Sequence, residues 1–449
     1  MSTQRDRRSI TRTLPSSCNP GYTYLDVRSL GPDGRLLFTT RSVRMFGYGL
    51  VSVVLVLYLA ALGLPDVAIG ALLTLTLAGD AVVSLWLTTH ADRVGRRRVL
   101  LAGALLMCLA GVGFAGTSTF AVLAIAATIV VISPSGNEVG PFLAVEQASL
   151  AQTIPDAART RVFGWFNLAG SFATAAGALT GGLLAGALVG AGRSPLDAYR
   201  AVIVGYALVG VVLAALFSRV SPAVEVRHAP DASIARRLGL HRSQRTVARL
   251  SALFTIDAFG GGLMMQSLIA YWFHVRFGAA PALIGAVLFA ANLFAGFSAL
   301  AAARIAERIG LVRTMVFTHL PSNVLLIAVP FMPTLPLAVL VLLARFSISQ
   351  MDVPTRQSYT MAVVEPDERS AAAGITGIAR SVGAALSPLA AAPLIGSVAL
   401  AGLPFVIAGG LKIAYDGLLY RGFRGLRTPE EGNLMEAAPR PSAGSDGRG

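Results

Sequence analysis

Apolar and polar positions alternate in long blocks from about residue 41 onwards. Each apolar block holds about 20 residues, enough for one helix to cross the ~30 Å hydrocarbon core of a membrane. Short polar breaks separate the blocks, so the pattern predicts twelve membrane-spanning helices. Their predicted ranges are 43–64, 68–89, 99–117, 119–142, 162–190, 199–218, 249–273, 280–303, 314–333, 335–353, 372–395 and 398–420.

Three polar segments flank or interrupt this pattern. Residues 1–40 and 422–449 show no apolar periodicity, so both are predicted to be disordered cytoplasmic tails. Residues 219–248 form the longest polar stretch between two spans and lie between the sixth and the seventh. We therefore expect a six-helix half over 41–218, a cytoplasmic linker over 219–248 and a second six-helix half over 249–421.

Composition narrows the class of protein further. Of the 449 residues, 54% are hydrophobic and 13% are charged, whereas soluble chains carry about 25% charged residues. A water-soluble enzyme domain, a disordered protein and a disulfide-stapled module are therefore disfavoured. Cys18 and Cys108 lie far apart in different kinds of segment, which indicates neither a disulfide framework nor a metal site.

The net charge of +14 raises the alternative of a nucleic-acid-binding protein. The arginines concentrate, however, in every second segment between spans. One side holds Arg93, Arg96, Arg97, Arg98, Arg159, Arg161, Arg304, Arg308, Arg313, Arg356, Arg369, Arg421, Arg424 and seven arginines of 219–249; the other holds only Arg193, Arg200 and Arg276. This is the positive-inside pattern. It predicts a multi-pass inner-membrane protein with both termini in the cytoplasm and with lipid, not nucleic acid, as its partner.

The two predicted halves share short sequence matches at nearly constant spacing. Ile69-Gly70-Ala71 returns as Ile284-Gly285-Ala286, 215 residues later, and Phe46-Gly47 returns as Phe259-Gly260, 213 residues later. Gln147, Arg159 and Gly164 return 210 residues later as Gln357, Arg369 and Gly374. Because each half has an even number of spans, the repeats are predicted to be parallel, about an axis along the membrane normal.

The polar segment after the second span carries a family motif. Ala91-Asp92-Arg93-Val94-Gly95-Arg96 resembles the signature loop of the major facilitator superfamily, which lies between spans two and three. A weaker copy with Glu307, Arg308 and Gly310 lies between spans eight and nine. Thr88 and His90 replace a Gly and a Leu of the family pattern.

The resemblance covers about residues 41–425 and implies an all-α membrane fold of twelve helices in two six-helix pseudo-repeats. It implies a secondary transporter of a small molecule that works by alternating access, without a cofactor and as a monomer. In the family, the acidic residue of the loop belongs to a cytoplasmic lock. That role would fall to Asp92 with Arg93, Gly95 and Arg96, and in the second copy to Glu307, Arg308 and Gly310. The alternative is that the loop only fixes topology.

The fifth span contains small residues at the spacing of another motif. Ala173, Gly177, Gly181 and Gly182 resemble the antiporter motif of drug-exporting members, with Ala178 in place of its Pro. The corresponding part of span eleven has a proline, Pro388. Such residues let two helices approach closely, which predicts an interface between the halves. Generic small-residue packing is the alternative.

Ionisable side chains within the predicted spans are candidates for the working site, because each raises the insertion free energy by at least ~2.5–3.5 kcal/mol. Burial disfavours the charged form of a carboxylate, so a carboxylate in a cavity can bind and release protons near neutral pH. Asp80, Glu138 and Asp257 are the proton-coupling candidates; the rival interpretation for each is a structural ion pair with an arginine. Lys412 and Asp416, four residues apart, are predicted to pair with each other.

Two further charges bear on the substrate. Arg345 and Arg380 lie within spans ten and eleven and cannot lose their protons. If both face the cavity, the substrate carries negative charge; if they pair with Glu138 and Asp352, the cavity is neutral. Further cavity candidates are Asn167, Asn292, Tyr58 and Tyr271, although the two tyrosines also fit interfacial anchors.

The sequence thus predicts a secondary active transporter of a small molecule. Proton-coupled efflux is favoured by the antiporter-like motif and the intramembrane carboxylates. Proton-coupled uptake of an organic anion or nutrient is the alternative, supported by Arg345, Arg380 and Lys412. A membrane sensor or a membrane-embedded enzyme is disfavoured, because the tails are unpatterned and no Ser/His/Asp or metal constellation recurs.

Overall fold

A computed structural model describes residues 30–129, 131–138, 140–154, 159–225, 242–365 and 368–423. These residues fold into fifteen α-helices joined by turns and short irregular segments. The helices are α1 Pro32–Ala61, α2 Asp66–Val94, α3 Arg96–Gly116, α4 Phe120–Ile129, α5 Phe142–Thr153, α6 Arg159–Gly190, α7 Pro195–Phe217, α8 Gln244–Leu263, α9 Gln266–Phe277, α10 Pro281–Ile309, α11 Leu311–Ala328, α12 Leu335–Phe346, α13 Asp352–Ala362, α14 Arg369–Gly396 and α15 Leu403–Phe423.

The fifteen helices correspond to the twelve predicted spans. Ten helical segments of the described chain are long and apolar enough to cross a membrane, and one of them combines α8 and α9. The fourth and tenth spans are each split into two shorter helices, α4 with α5 and α12 with α13. The all-helical fold predicted from the apolar pattern is therefore confirmed.

The split of the fourth span was not predicted, because 119–142 was treated as one helix. Pro134 and Pro141 cannot donate a backbone hydrogen bond within a helix. Gly136 and Gly140 have φ angles of +67° and +80°, in the left-handed region that favours glycine. We call the described residues between Ile129 and Phe142, which are 131–138, 140 and 141, the span-four break. In the tenth span, Pro354 lies in the first turn of α13, where its missing N–H is tolerated.

The predicted domain boundaries shift by a few residues. Helix α1 begins at Pro32, so the last part of the predicted 1–40 tail is helical, with a proline in its first turn. Helix α8 begins at Gln244, inside the predicted 219–248 linker. Residues 1–29, 226–241 and 424–449 lie outside the described part of the chain, so the predicted disorder of the tails stays a prediction.

Both described ends of the chain lie at one end of the bundle, which we call the terminus side. Asp33 at the start of α1 accepts hydrogen bonds from Ser221 after α7, with 3.0 Å to the Ser221 backbone N. The Tyr359 hydroxyl of α13 lies 3.5 Å from the Phe423 carbonyl at the end of α15. The opposite side carries the turns that join α1 to α2 and α9 to α10.

The two halves contact each other through α2 with α14 and α6 with α10. Gly70 near the start of α2 packs on the backbone of Pro388 in α14, and Gly182 near the end of α6 packs on Gly285 in α10. These contacts lie toward the opposite side. The halves are therefore closed against each other on that side.

Gly177 and Gly181 do not lie in this interface, so their predicted place between the halves is wrong. A Cβ at Gly177 would meet the Phe46 carbonyl oxygen, and one at Gly181 would meet that of Leu50, both in α1 of the same half. Residues four apart share one face of a helix, whereas Gly182 is turned by about 100° from Gly181. Gly182 and Pro388 do lie between the halves.

Candidate functional site

Asp257, in the middle of α8, is the centre of a buried group of charges. Its carboxylate lies 2.6 Å from Nζ of Lys412 on α15. It also accepts hydrogen bonds of 3.1 Å from Arg356 on α13 and 3.1 Å from Arg380 on α14. Three cations from three helices therefore meet on one carboxylate that is 4% exposed.

Two more carboxylates complete the group. Asp352 accepts a 2.7 Å hydrogen bond from Arg356, one helical turn away. Asp416 lies 2.9 Å from Nδ1 of His319 and accepts a 3.1 Å bond from Asn323, both on α11. The predicted Lys412–Asp416 pair is wrong, because Asp416 turns toward α11 while the long Lys412 side chain reaches Asp257 on α8.

Arg345 in the last turn of α12 adds a fourth cation. It interacts electrostatically with Asp352 and Asp257, and its guanidinium lies 4.8 Å from the centre of the Phe346 ring. Its buried Nε has no hydrogen-bond partner among the described residues. We call Asp257, His319, Arg345, Asp352, Arg356, Arg380, Lys412 and Asp416 the C-terminal cluster. Within the described chain it has four basic side chains and three carboxylates, even with His319 neutral.

The N-terminal half holds a separate group with balanced charge. Arg44 of α1 makes a bidentate pair with Glu146 of α5, at 2.7 and 2.8 Å, and both side chains are fully buried. Arg44 also donates to Glu138 at 2.9 Å, and Arg41 donates to the other oxygen of Glu138 at 2.9 Å. We call Arg41, Arg44, Glu138 and Glu146 the N-terminal cluster. Its two guanidinium groups offset its two carboxylates.

Arg41 and Arg44 were missed in the sequence, although they hold Glu138, a predicted proton site. They lie at the edge of the first predicted span, where arginines are expected simply to mark the inner membrane surface. Asn167, a predicted cavity residue, supports the same group, since its Oδ1 accepts a 3.2 Å hydrogen bond from Arg41. The residue is also exposed.

Asp80, the third proton candidate, belongs to neither cluster. Its Oδ1 accepts a 2.7 Å hydrogen bond from the Gly140 backbone N–H in the span-four break and a 3.2 Å bond from the Ser84 hydroxyl. The structure thus separates the three candidates: Asp257 and Glu138 are ion-paired, while Asp80 is held by neutral donors.

The opposite side of the bundle is sealed by polar contacts between the halves. The Tyr271 hydroxyl of α9 donates a 2.8 Å bond to Asp66 at the start of α2. Deeper, Ser52 of α1 donates to Gln266 of α9 at 3.2 Å. Within the second half, Gln266 in turn donates to Asn292 of α10 at 2.7 Å. Tyr271 and Asn292 are buried in this seal, and their predicted role as cavity residues stays a prediction.

The middle of the bundle is nevertheless accessible. Arg380, near the middle of α14, is 34% exposed, and Glu138 in the span-four break is 17% exposed. Each cluster therefore keeps one partly exposed charged side chain near the middle of the bundle.

Comparison with known proteins identifies the family. A family model described as Major Facilitator Superfamily matches residues 37–388. The chain belongs to this superfamily. It is 29% identical over 424 residues to an uncharacterized membrane protein of Saccharomyces cerevisiae, a match that covers 88% of this chain and 94% of the yeast protein.

Solved structures of superfamily transporters share the fold at low sequence identity. A bacterial homolog of the human lysosomal transporter Spinster, inward-facing and unoccupied, is 14% identical with a TM-score of 0.68; the match covers 90% of this chain and 98% of that one. The nucleoside transporter NupG is 13% identical with a TM-score of 0.67; the match covers 88% and 100%. These matches, together with the family, indicate a membrane transporter of small molecules, a class that is generally not enzymatic.

The superfamily signature loop turns at Gly95, whose φ of +105° only glycine adopts readily. The backbone N–H groups of Arg96 and Arg97 at the start of α3 donate to the Glu225 carboxylate at 2.7 and 3.1 Å. Glu225 therefore caps α3 and ties the loop to the end of α7. Gly310 makes the equivalent turn with a φ of +86°.

The predicted lock stays a prediction. The side chains of Asp92 and Glu307 lie outside the described part of the structure, and Arg93 and Arg308 are exposed near the loops. Tyr58 is fully buried, and its hydroxyl donates a 2.6 Å bond to the Phe114 carbonyl of α3.

Tyr271→Phe is expected to weaken the seal on the opposite side. The change removes one hydrogen bond between the halves and leaves Asp66 without that donor, a loss of about 1–2 kcal/mol. The population open on the opposite side would rise roughly five- to thirtyfold. A cysteine placed at Ser52 and labelled with an impermeant maleimide from that side measures the change.

Tyr58→Phe is the matched control for this experiment. It removes a similar hydroxyl bond, but one within the N-terminal half. Equal labelling in both variants would contradict the role of Tyr271 in the seal.

Proposed function

We propose that this chain is a proton-coupled symporter that takes up a small organic anion through the inner membrane. The observation that carries the proposal is the C-terminal cluster, where four basic side chains meet three carboxylates and Arg380 is 34% exposed at the centre of the bundle. A guanidinium group presents a planar pair of donors that matches carboxylate or phosphate oxygens. An anion at Arg380 would balance the cluster's excess positive charge.

The arrangement of the clusters supports symport over exchange. Exchange requires the proton and the substrate to exclude each other, whereas symport requires both to be bound together. The proton candidates Asp80 and Glu138 lie in the N-terminal half, and the excess cations lie in the C-terminal half. Separate sites permit joint occupancy, and a bound proton offsets the charge that the anion brings into the low-dielectric centre.

The antiporter-like motif gives less support to efflux than its sequence suggests. Gly177 and Gly181 pack α6 against α1 of the same half, and Ala178 stands in place of the motif's proline. With both termini in the cytoplasm, as the arginine distribution favours, the sealed side faces away from the cytoplasm, which supports access from the cytoplasm in this conformation. We propose a monomer as the functional unit.

Transport into proteoliposomes tests the proposal. An acidic exterior should drive accumulation of a labelled mono- or dicarboxylate or organic phosphate, and a protonophore should abolish it. Neutral nucleosides and lipophilic cations should not accumulate. Proton release from acid-loaded vesicles on addition of a lipophilic cation, with no anion uptake, would overturn symport and favour drug export.

Arg380→Gln is expected to raise the KM for the anion about 10- to 100-fold, since hydrogen bonds to charged groups contribute about 1.5–3 kcal/mol. Initial rates of labelled uptake over a substrate series measure this. Arg313→Gln removes an exposed arginine of α11. It controls for the loss of one positive charge from the protein and should leave the KM unchanged. An unchanged KM in Arg380→Gln would exclude Arg380 from anion binding.

A further inference from the structure

We propose that Asp80 binds the coupled proton, and that the span-four break relays its charge state to Arg41 and Arg44 on α1. This inference rests on the proton coupling of the proposed function and names its site. It rests on three features. These are the hydrogen bonds that Asp80 accepts, the charged groups around Asp80, and the connection from Gly140 through Glu138 to α1.

Helix packing fixes Asp80 beside the break. Its neighbour Gly79 contacts the backbone of Thr128 in α4 so closely that a Cβ there would meet the Thr128 carbonyl oxygen. This contact places the Asp80 carboxylate 2.7 Å from the backbone N of Gly140. Gly140 has a φ of +80°, so it lies outside the helices and its N–H points toward α2. The Asp80 carboxylate is thus held by a backbone hydrogen bond from the span-four break.

The groups around Asp80 include no cation among the described residues. Glu138 faces it from the break, Tyr48 from α1, and Tyr206 from α7. The Tyr206 hydroxyl already donates to the Val131 carbonyl at 2.8 Å. Glu138 and Asp257, by contrast, are each paired with at least two basic side chains. A proton is therefore the counter-charge open to Asp80, whereas the other two carboxylates already have basic side chains as counter-charges.

The span-four break is linked directly to α1. Gly140 lies two residues after Glu138, whose two oxygens each accept a 2.9 Å hydrogen bond, one from Arg41 and one from Arg44. A charge-assisted hydrogen bond is roughly twice as strong as a neutral one. Protonation of Asp80 would weaken its hold on Gly140 and let the break shift Glu138 relative to both arginines.

Helix α1 carries that shift to the interface between the halves. Two turns beyond Arg44, Ser52 donates to Gln266 of α9 in the other half. The break also contacts α9 directly, since the Ser267 backbone N–H donates to the Pro134 carbonyl at 3.1 Å. Both contacts belong to the seal on the opposite side. The charge on Asp80 is thus linked to the contacts that must open during transport.

Asp80→Asn tests the inference. The amide is isosteric and permanently neutral, and its Oδ1 can still accept the Gly140 N–H, so the fold is retained. We expect the pH gradient no longer to drive accumulation of the anion. The ratio of internal to external anion concentration should fall to the value reached without proton coupling. Exchange of labelled for unlabelled anion across the membrane, which requires no net proton release, should stay within about threefold of the parent and lose its pH dependence. Asp197→Asn, at an exposed cap of α7, is the matched control and should retain both activities.

A second measurement does not depend on transport. Infrared difference spectra of the reconstituted parent between acid and alkaline pH should contain a protonated carboxyl band that is missing in Asp80→Asn and present in Asp197→Asn. If the parent transports no anion, the proposed function fails while this titration still tests Asp80. Gradient-driven accumulation that survives Asp80→Asn, or an unchanged carboxyl band in that variant, would overturn the inference.

Discussion

Asp257→Asn is expected to lower the free energy of unfolding by about 3–5 kcal/mol, the range for removing one partner of a buried ion pair. The substitution leaves Lys412 and Arg356, both buried, without the carboxylate that lies 2.6 and 3.1 Å from them. Asp352 offsets only part of the remaining positive charge. The midpoint of thermal unfolding in detergent, followed alongside Asp197→Asn as an exposed control, measures the effect.

Lys412→Met in the Asp257→Asn background tests whether the loss of stability comes from the uncompensated charge of Lys412. The double variant removes both charges of the shortest contact, so its stability should exceed that of Asp257→Asn alone. Contacting residues show interaction energies of about 0.5–3 kcal/mol in such a cycle. Strictly additive losses would contradict direct pairing between Lys412 and Asp257.

The position of Asp257 shows how the two halves differ. The repeat offset of 213 residues aligns Arg44 of α1 with Asp257 of α8, and the offset of 210 aligns Glu146 of α5 with Arg356 of α13. Arg44 forms an ion pair with Glu146 in the first half, and Asp257 forms one with Arg356 in the second. The same inter-helix contact therefore occurs in each half with its charges reversed. The halves diverge in what surrounds it: Glu138 completes a balanced group in one, and Arg345, Arg380 and Lys412 add cations in the other.

Much of the fold was predictable from the sequence, because each span must satisfy its backbone internally and bury about 20 apolar residues in lipid. The repeat and the signature loop then gave the arrangement of the halves. The same solvent argument singled out Asp80, Glu138, Asp257 and Arg380 as candidates, because charges within a membrane are rare; their roles in transport stay predictions. These predictions depend on the solvent around a helix and need no knowledge of its neighbours.

The wrong or missing predictions concern side-chain contacts between different helices. The sequence pattern of one helix does not contain this information. Lys412 was paired with Asp416 along one helix, although its flexible stem reaches another. The hydrogen bond of the Tyr271 hydroxyl across the halves was likewise not predicted. The break in the fourth span did leave a local signal in Pro134, Gly136 and Gly140, and the apolar composition of the span concealed it.

Gly177→Ala is expected to destabilise the N-terminal half by about 3 kcal/mol, at the upper end of the range for overpacking. The added methyl group would collide with the Phe46 carbonyl of α1, a backbone atom that cannot rotate away. Gly164→Ala is the matched control in the same helix, because no atom lies within 4 Å of its added Cβ.

Gly182→Ala separates the effect on folding from the effect on alternation. Its methyl group would meet Pro281 and Gly285 of the other half, so this variant should keep a near-parental unfolding midpoint. Maleimide labelling of a cysteine at Ser52 from the opposite side should rise instead. If Gly177→Ala also left the midpoint unchanged and raised labelling, α1 and α6 would have to separate during transport, and the glycines of α6 would serve alternation after all.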